Sequence, residues 1–179
     1  MPNENLSFPI GTIFTVKKYY KKLSFSEILG KHKKRGRNIN SLMEALLSYK
    51  LTENQSITKA ATWINREEVL DTFNLDSFEQ RTLYRVLKLI GENREEIIAD
   101  VQTMIFNTFD FKHININMDW TSFILYDDKC PSGKHSYSHD YQPGKEQITA
   151  GISKIFSPIN VPIGMTVHEG NVERPDSLR

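Results

Sequence analysis

One discontinuity limits what this chain can fold into. From Ile13 to Phe109 apolar residues recur three and four positions apart, the spacing of one helix face; from residue 111 onward they alternate instead. Helices followed by strands, without interleaving, predict an α+β fold rather than a doubly wound one. The helical part covers residues 1–110. Thr12 to Lys22 forms a short helix. Ser24 caps a second from Phe25 to Leu29, with Glu27 completing a capping box and Gly30 as the stop. Asn40 or Ser41 opens a third, with Leu42, Ala45, Leu46 and Tyr49 inward. Ser56 to Ile64 and Arg66 to Phe73 follow, the first burying Ile57, Ala60, Ala61 and Ile64. A longer helix starts at Asp76 or Ser77 and runs through Ile90, with Phe78, Leu83, Val86, Leu87 and Ile90 inward and Gly91 as its breaker. Glu92 to Phe109 is helical again, its apolar set being Ile97, Ile98, Val101, Met104, Ile105 and Phe109.

Beyond this point the composition is β-branched and aromatic. Lys112–Tyr126 reads as a strand, Asp127–Gly133 as a turn, and His135–Tyr141 with Gln147–Phe156 as a second strand behind an irregular loop. Val161–His168 is the third strand, after a turn at Ser157, Pro158 and Asn160. Short connections favour an antiparallel meander. A sheet of this size leaves one face for the preceding helices and another for a portion the chain lacks, which predicts an incomplete domain over 111–179.

The composition is that of a globular chain, with 39% hydrophobic and 25% charged residues in 179. No apolar run approaches the roughly 18 residues that cross a bilayer. The N-terminus lacks the basic and apolar regions of a secretory signal. Cys130 is the single cysteine and has no intrachain disulfide partner, which fits a cytoplasmic protein. Net charge is only +1, yet Lys17, Lys18, Lys21, Lys22, Lys31, Lys33, Lys34, Arg35 and Arg37 are opposed within their segment by Glu27 alone. Tyr19, Tyr20 and Phe25 interleave with them. A local basic cluster in a near-neutral chain predicts contact with a polyanion, phosphates first. The helices at 41–50 and 56–64 are candidates for a helix-turn-helix pair, although their link, Leu51–Gln55, lacks the usual glycine.

Asp119 stands inside an apolar strand, with Ile114, Ile116 and Met118 before it and Phe123, Ile124 and Leu125 after. An acid there needs a partner, a metal or water. Either it is an edge-strand acid facing solvent, or it is a ligand for a hard cation such as Mg²⁺, which binds few carboxylates together with phosphate oxygens. Lys134, His135, Tyr137 and His139 gather in a polar loop, where they are either surface residues or a lining for DNA. His135 and His139 have no thiol or carboxylate set at a suitable spacing, which argues against zinc. Trp63 follows helical spacing into the core, while Trp120 faces away from Asp119.

From Asn117 onward the sequence reads NMDWTSFILYDD, then GKHSYSHDYQPGKEQITAGISKIFSPINVPIGMTVHEGN. It resembles the start of the catalytic core of the DDE transposases of bacterial and archaeal insertion sequences. Asp119 with Thr121 and Ser122 matches the first-strand Asp and small-residue pair. Tyr137, Ser138, Asp140, Pro143 and Gln147 match the stretch opening the second strand, and Pro162, Gly164, Gly170 and Asn171 match the third. The resemblance covers about 60 residues, and its specificity lies in the combination. It implies an RNase H-like fold, of which 111–179 is the first part, with three acids binding two Mg²⁺ ions, nicking at element ends and strand transfer by the freed 3′-hydroxyl.

Asp119 alone matches that acid set, as catalytic residue and metal ligand. The second Asp and the Glu are expected beyond Arg179. Glu169, Glu173 and Asp176 are poor substitutes, and Arg174 stands near a place where the family often carries an acid. The resemblance further implies an N-terminal region that grips terminal inverted repeats. Residues 1–110 would be that DNA-binding and scaffolding region, with Lys31, Lys33, Lys34, Arg35, Arg37, Lys134 and Tyr137 as DNA contacts. The resulting expectation is a truncated transposase that binds DNA ends, with weak or absent Mg²⁺ binding, no autonomous transposition, no membrane partner and room for self-association. The rivals are a non-catalytic DNA-binding regulator or transposition inhibitor and, further off, a protein-interaction domain.

Overall fold

In the computed structural model the described residues are 9–32, 36–111, 115–125, 133–135, 145–157 and 160–170. They form two compact units, Met1–Met104 and Ile105–Arg179. The fold is α+β, as the change of periodicity requires: among the described residues, seven helices and then an antiparallel sheet. No helix among the described residues is long and apolar enough to cross a membrane.

The helical unit is built around α3 (Ile39–Thr52), whose Leu42, Ala45, Leu46 and Tyr49 are all buried. Against it lie α1 (Ile10–Lys22) and α2 (Phe25–Gly30), followed along the chain by α4 (Ile57–Ile64), α5 (Glu67–Phe73), α6 (Arg81–Glu92) and α7 (Arg94–Thr108). Ile13, Tyr20, Ala60, Ile64, Val69, Phe73, Leu83 and Val86 complete one apolar cluster with α3. A fully buried Leu or Ile contributes about 1.5–3 kcal/mol, so this cluster is what holds short helices that would not persist alone. Trp63 is buried with its ring 5.5 Å from that of Tyr49.

Several helix ends differ from expectation, each for a local reason. Ser24 forms no capping box: its backbone is left-handed (φ 52°) and its side chain makes no cap bond, because only Leu23 and Ser24 separate α1 from α2 and the chain must turn sharply there. Asn38, rather than Asn40 or Ser41, caps α3, its side-chain oxygen accepting from the backbone N–H groups of Asn40 and Ser41. Ser56 caps α4 by accepting from Lys59 N–H. Between α3 and α4 the left-handed position is filled by Asn54 (φ 47°), which does the work of the missing glycine.

The largest displacement is at α6. It starts at Arg81, not at Asp76 or Ser77, since the backbone of Phe78 is captured by Asn65. Asn65 Nδ2 donates to Phe78 O (3.0 Å) and Phe78 N–H donates to Asn65 Oδ1 (2.8 Å). The first of these bonds takes the carbonyl that Thr82 N–H would use in a helix begun earlier, and Thr82 N–H bonds Glu79 O instead. Gly91 does not break α6; the helix continues to Glu92 and is closed by Asn93, whose backbone and side-chain N–H groups both bond Leu89 O. In α7 only Ile105 is buried, while Ile97, Ile98, Val101 and Met104 are half-buried.

In the second unit β1 (Asn115–Ile124), β3 (Glu146–Ser157) and β4 (Val161–Glu169) form the expected antiparallel meander, with β3 central. The two-residue β2 (Lys134–His135) extends the β4 side by pairing with Glu146 and Gln147. Residues 136–144 lie outside the described set. Asp119, Ile152 and Met165 share one row across the sheet; Trp120, Gly151 and Thr166 share the next, on the opposite face. Gly151 is required there, since a Cβ would meet Thr166 Oγ1 at 2.8 Å and the Trp120 ring at 2.9 Å.

Candidate nucleic-acid interface

The basic cluster separates into two classes once its side chains are placed. Lys17 Nζ donates to Thr72 O and sits 4.8 Å above the Phe73 ring, so it ties α1 to the end of α5. Lys31 pairs with Asp100 at 2.7 Å. Arg37 donates to the carbonyls of Asp76 (3.0 Å) and Ser77 (2.8 Å), with its guanidinium 6.0 Å from the Phe78 ring centre. These three cations have structural partners inside the helical unit. Lys33, Lys34 and Arg35 lie outside the described residues, as does Tyr137. Lys134 is exposed on β2.

Lys18, Lys21 and Lys22 form the other class. α1 contains no acid, and Ile13, Val16 and Tyr20 seat its inner face. Tyr20 is fixed further by donating from its hydroxyl to Asn40 Oδ1 at 3.0 Å, while Asn40 Nδ2 donates to Ser26 O. Burial, with the nearby Glu44 second, raises the Tyr20 pKa, so the phenol stays a neutral donor. Burial likewise raises the Glu44 carboxyl, an effect that Lys17 opposes. With the inner face fixed, the 3.6-residue repeat turns Phe14, Lys18, Lys21 and Lys22 outward, with Tyr19 at their flank. Phe14 is 70% exposed and Tyr19 50%. Among the described residues none of these lysines has an ion pair. Lys21 and Lys22 also suit the negative end of the α1 dipole.

A second cationic face, outside the basic cluster that charge counting picks out, is on α6. Leu83 and Val86 are buried, which leaves Arg81, Tyr84, Arg85 and Lys88 along the outer side. The signal was present: the spacing that sends Leu83, Val86, Leu87 and Ile90 inward also sends these four outward. α4, part of the expected helix-turn-helix pair, exposes only Thr58, Lys59 and Thr62.

Asp119 is exposed on β1, and its Oδ1 accepts from the Trp120 backbone N–H at 2.9 Å. Around it on the same face are the exposed Ile152, Met165, Val167 and Phe123. Trp120 packs on the other face, its ring 5.3 Å from that of His168. Among the described residues no three His, Cys, Asp or Glu side chains are placed to hold a metal ion. One exposed carboxylate can supply a single ligand and does not by itself make a Mg²⁺ centre, so no chemical step is assigned to it.

Other residues of the transposase-like pattern have a visible structural use. Ser122 Oγ lies 3.4 Å from Thr149 Oγ1 across the β1–β3 pair. The buried Gln147 side chain donates from Nε2 to Gly170 O at 3.0 Å, and a Cβ on Gly170 would fall inside contact distance of the Gln147 carbonyl. The second and third stretches of the pattern are therefore joined, one end of β3 to the end of β4. Comparison with known protein families, curated proteins and solved structures gives no match.

Proposed function

We propose that this chain is a DNA-binding protein of the DDE transposase type. Its helical unit grips duplex DNA at terminal inverted repeats, and its sheet belongs to an RNase H-like core in which Asp119 supplies the first carboxylate for Mg²⁺. The observation that carries this is the solvent face of α1, where Lys18, Lys21 and Lys22 stand beside the exposed Phe14 and Tyr19 with no acid on the helix. Such a face attracts phosphates by charge and releases their counterions, while its aromatics add stacking or sugar contacts. Three further features support the type: helices precede strands, the strands form a meander, and the acid sits on the first strand.

The direct test is the affinity of the whole chain for a short random-sequence duplex as a function of salt. Replacing Lys18, Lys21 and Lys22 together with Ala is expected to reduce the slope of log K against log salt by roughly two to three. An unchanged slope removes α1 as the contact, and salt-insensitive binding by the unaltered chain removes the DNA reading altogether.

A second reading, a non-catalytic regulator that occupies element ends, is favoured by one observation: the cationic faces of α1 and α6 lie wholly within the helical unit, whereas Asp119 belongs to the other. Strand transfer after a C-terminal half carrying the second Asp and the Glu is supplied separates the two. The transposase type expects Asp119→Asn to abolish it, and the regulator expects no transfer to abolish.

A further inference from the structure

We propose that α6 is the helix that reads base sequence, entering the major groove of duplex DNA with Arg81, Tyr84, Arg85 and Lys88. The proposal deepens the DNA-binding reading of the helical unit and rests on it.

Its first support is the pattern of the helix. The four residues are spaced i, i+3, i+4 and i+7, so they form one stripe opposite the buried Leu83 and Val86. At 1.5 Å per residue the stripe is about 10 Å long, roughly three base-pair steps. Tyr84 is 50% exposed. Its ring, set between two arginines, adds a stacking surface to the cationic stripe. Arg81 pairs with Glu79 at 2.6 Å and Lys88 with Glu92 at 3.6 Å, but both pairs are solvent-exposed. The Lys88–Glu92 pair is weak and exchanges readily for phosphate or base acceptors, while the two-point Arg81–Glu79 pair opens when Arg81 reaches DNA. Arg85 has no ion pair among the described residues.

The second support is the way the helix is mounted. Its N-terminal approach, Leu75–Gln80, has no regular secondary structure, and side chains from elsewhere hold it in place. Arg37 grips the carbonyls of Asp76 and Ser77. Asn65, at the end of α4, pairs with both backbone groups of Phe78. Gln80 Nε2 donates to Thr58 Oγ1 on α4 at 2.8 Å. At the start of the segment Asn74 takes a left-handed turn (φ 50°), and Leu75 N–H bonds back to Leu70 O. A reading helix has to be held in one orientation, because base readout depends on bidentate geometry. This places Arg37 as a positioning residue that acts through α6. The choice of duplex DNA follows from groove size: the B-form major groove admits a helix, and the deep, narrow major groove of A-form RNA does not.

The test uses the full chain and two probes: a duplex enriched from a randomised pool by the unaltered protein, and the unselected random duplex. The measured quantity is preference, the affinity ratio between the two. Arg85→Lys keeps the charge and loses the fork; it is expected to bind the random duplex within about twofold of the unaltered chain and to lose roughly tenfold or more of the preference. Tyr84→Ala is expected to lower preference with an unchanged salt slope. Arg37→Ala is also expected to lower preference without changing the salt slope, whereas a phosphate-contacting Arg37 would lower that slope by about one. Steep salt-dependent binding with wild-type preference in both α6 variants overturns the α6 proposal and leaves DNA binding intact. Failure of the unaltered protein to bind either duplex overturns both.

Discussion

Asn65→Ala removes three hydrogen bonds with one side chain. Asn65 Nδ2 is shared between Ala61 O (2.8 Å) and Phe78 O (3.0 Å), while Asn65 Oδ1 accepts from Phe78 N–H (2.8 Å). Ala61 O keeps its backbone donor, Asn65 N–H, so little is lost there. Phe78 is different. It is buried at 9% exposure, and both its backbone groups lose their partner together. Leaving a buried donor or acceptor unsatisfied costs about 1–3 kcal/mol, so the pair predicts a loss of roughly 2–4 kcal/mol once some water reaches the site. Urea denaturation of the helical unit, followed by Trp63 fluorescence in a Trp120→Phe background, measures the loss as a lower midpoint at an unchanged slope. Asn65→Asp keeps the acceptor for Phe78 N–H but sets a carboxylate against Phe78 O, and is predicted to be at least as damaging. A loss below about 0.5 kcal/mol for the alanine variant would refute the claim that Asn65 holds the approach to α6.

Three other predictions concern separate parts of the molecule. Gly170→Ala forces a Cβ against the Gln147 carbonyl and is expected to destabilise the sheet unit by about 1–3 kcal/mol, read from the Trp120 transition in a Trp63→Phe background. Glu44 has a folded-state pKa raised above its ordinary 4.5, chiefly by burial, so its contribution to stability is fully present below the unfolded value and is lost as pH rises through the folded one. Glu44→Gln should therefore stabilise at neutral pH, by no more than about 1 kcal/mol given solvent screening, and the gain should vanish below about pH 4; a gain that grows with acid would contradict the assignment. Asp119→Asn should leave the unfolding free energy unchanged within about 0.5 kcal/mol, since the side chain is exposed and an amide oxygen can still accept from Trp120 N–H.

The class and order of the elements could be read from the sequence because they depend on periodicity. Leu42, Ala45, Leu46 and Tyr49 are buried as their spacing requires, and β1, β3 and β4 pair in chain order. Boundaries set by tertiary contact could not be read this way. No local signal tells that Asn65 will take the backbone of Phe78 and delay α6 to Arg81, or that the two-residue link at Leu23–Ser24 will force Ser24 left-handed. The same holds for the candidate interface. Charge counting finds Lys17, Lys31 and Arg37 together with Lys18, Lys21 and Lys22, but not that the first three are bound to Thr72, Asp100 and the Asp76–Ser77 backbone. The α6 stripe is legible as the outward half of the helical pattern that turns Leu83, Val86, Leu87 and Ile90 inward. Asp119 stands out in the sequence as an acid inside an apolar strand, and its exposed position among Ile152, Met165 and Val167 comes only from the strand register.

The most direct measurement of the central claim is backbone amide hydrogen exchange of the full chain with and without a saturating random-sequence duplex at low salt. The account predicts slowed exchange in peptides covering α1 and α6, reversed by raising the salt. Equal exchange throughout the helical unit, with and without duplex, would contradict it.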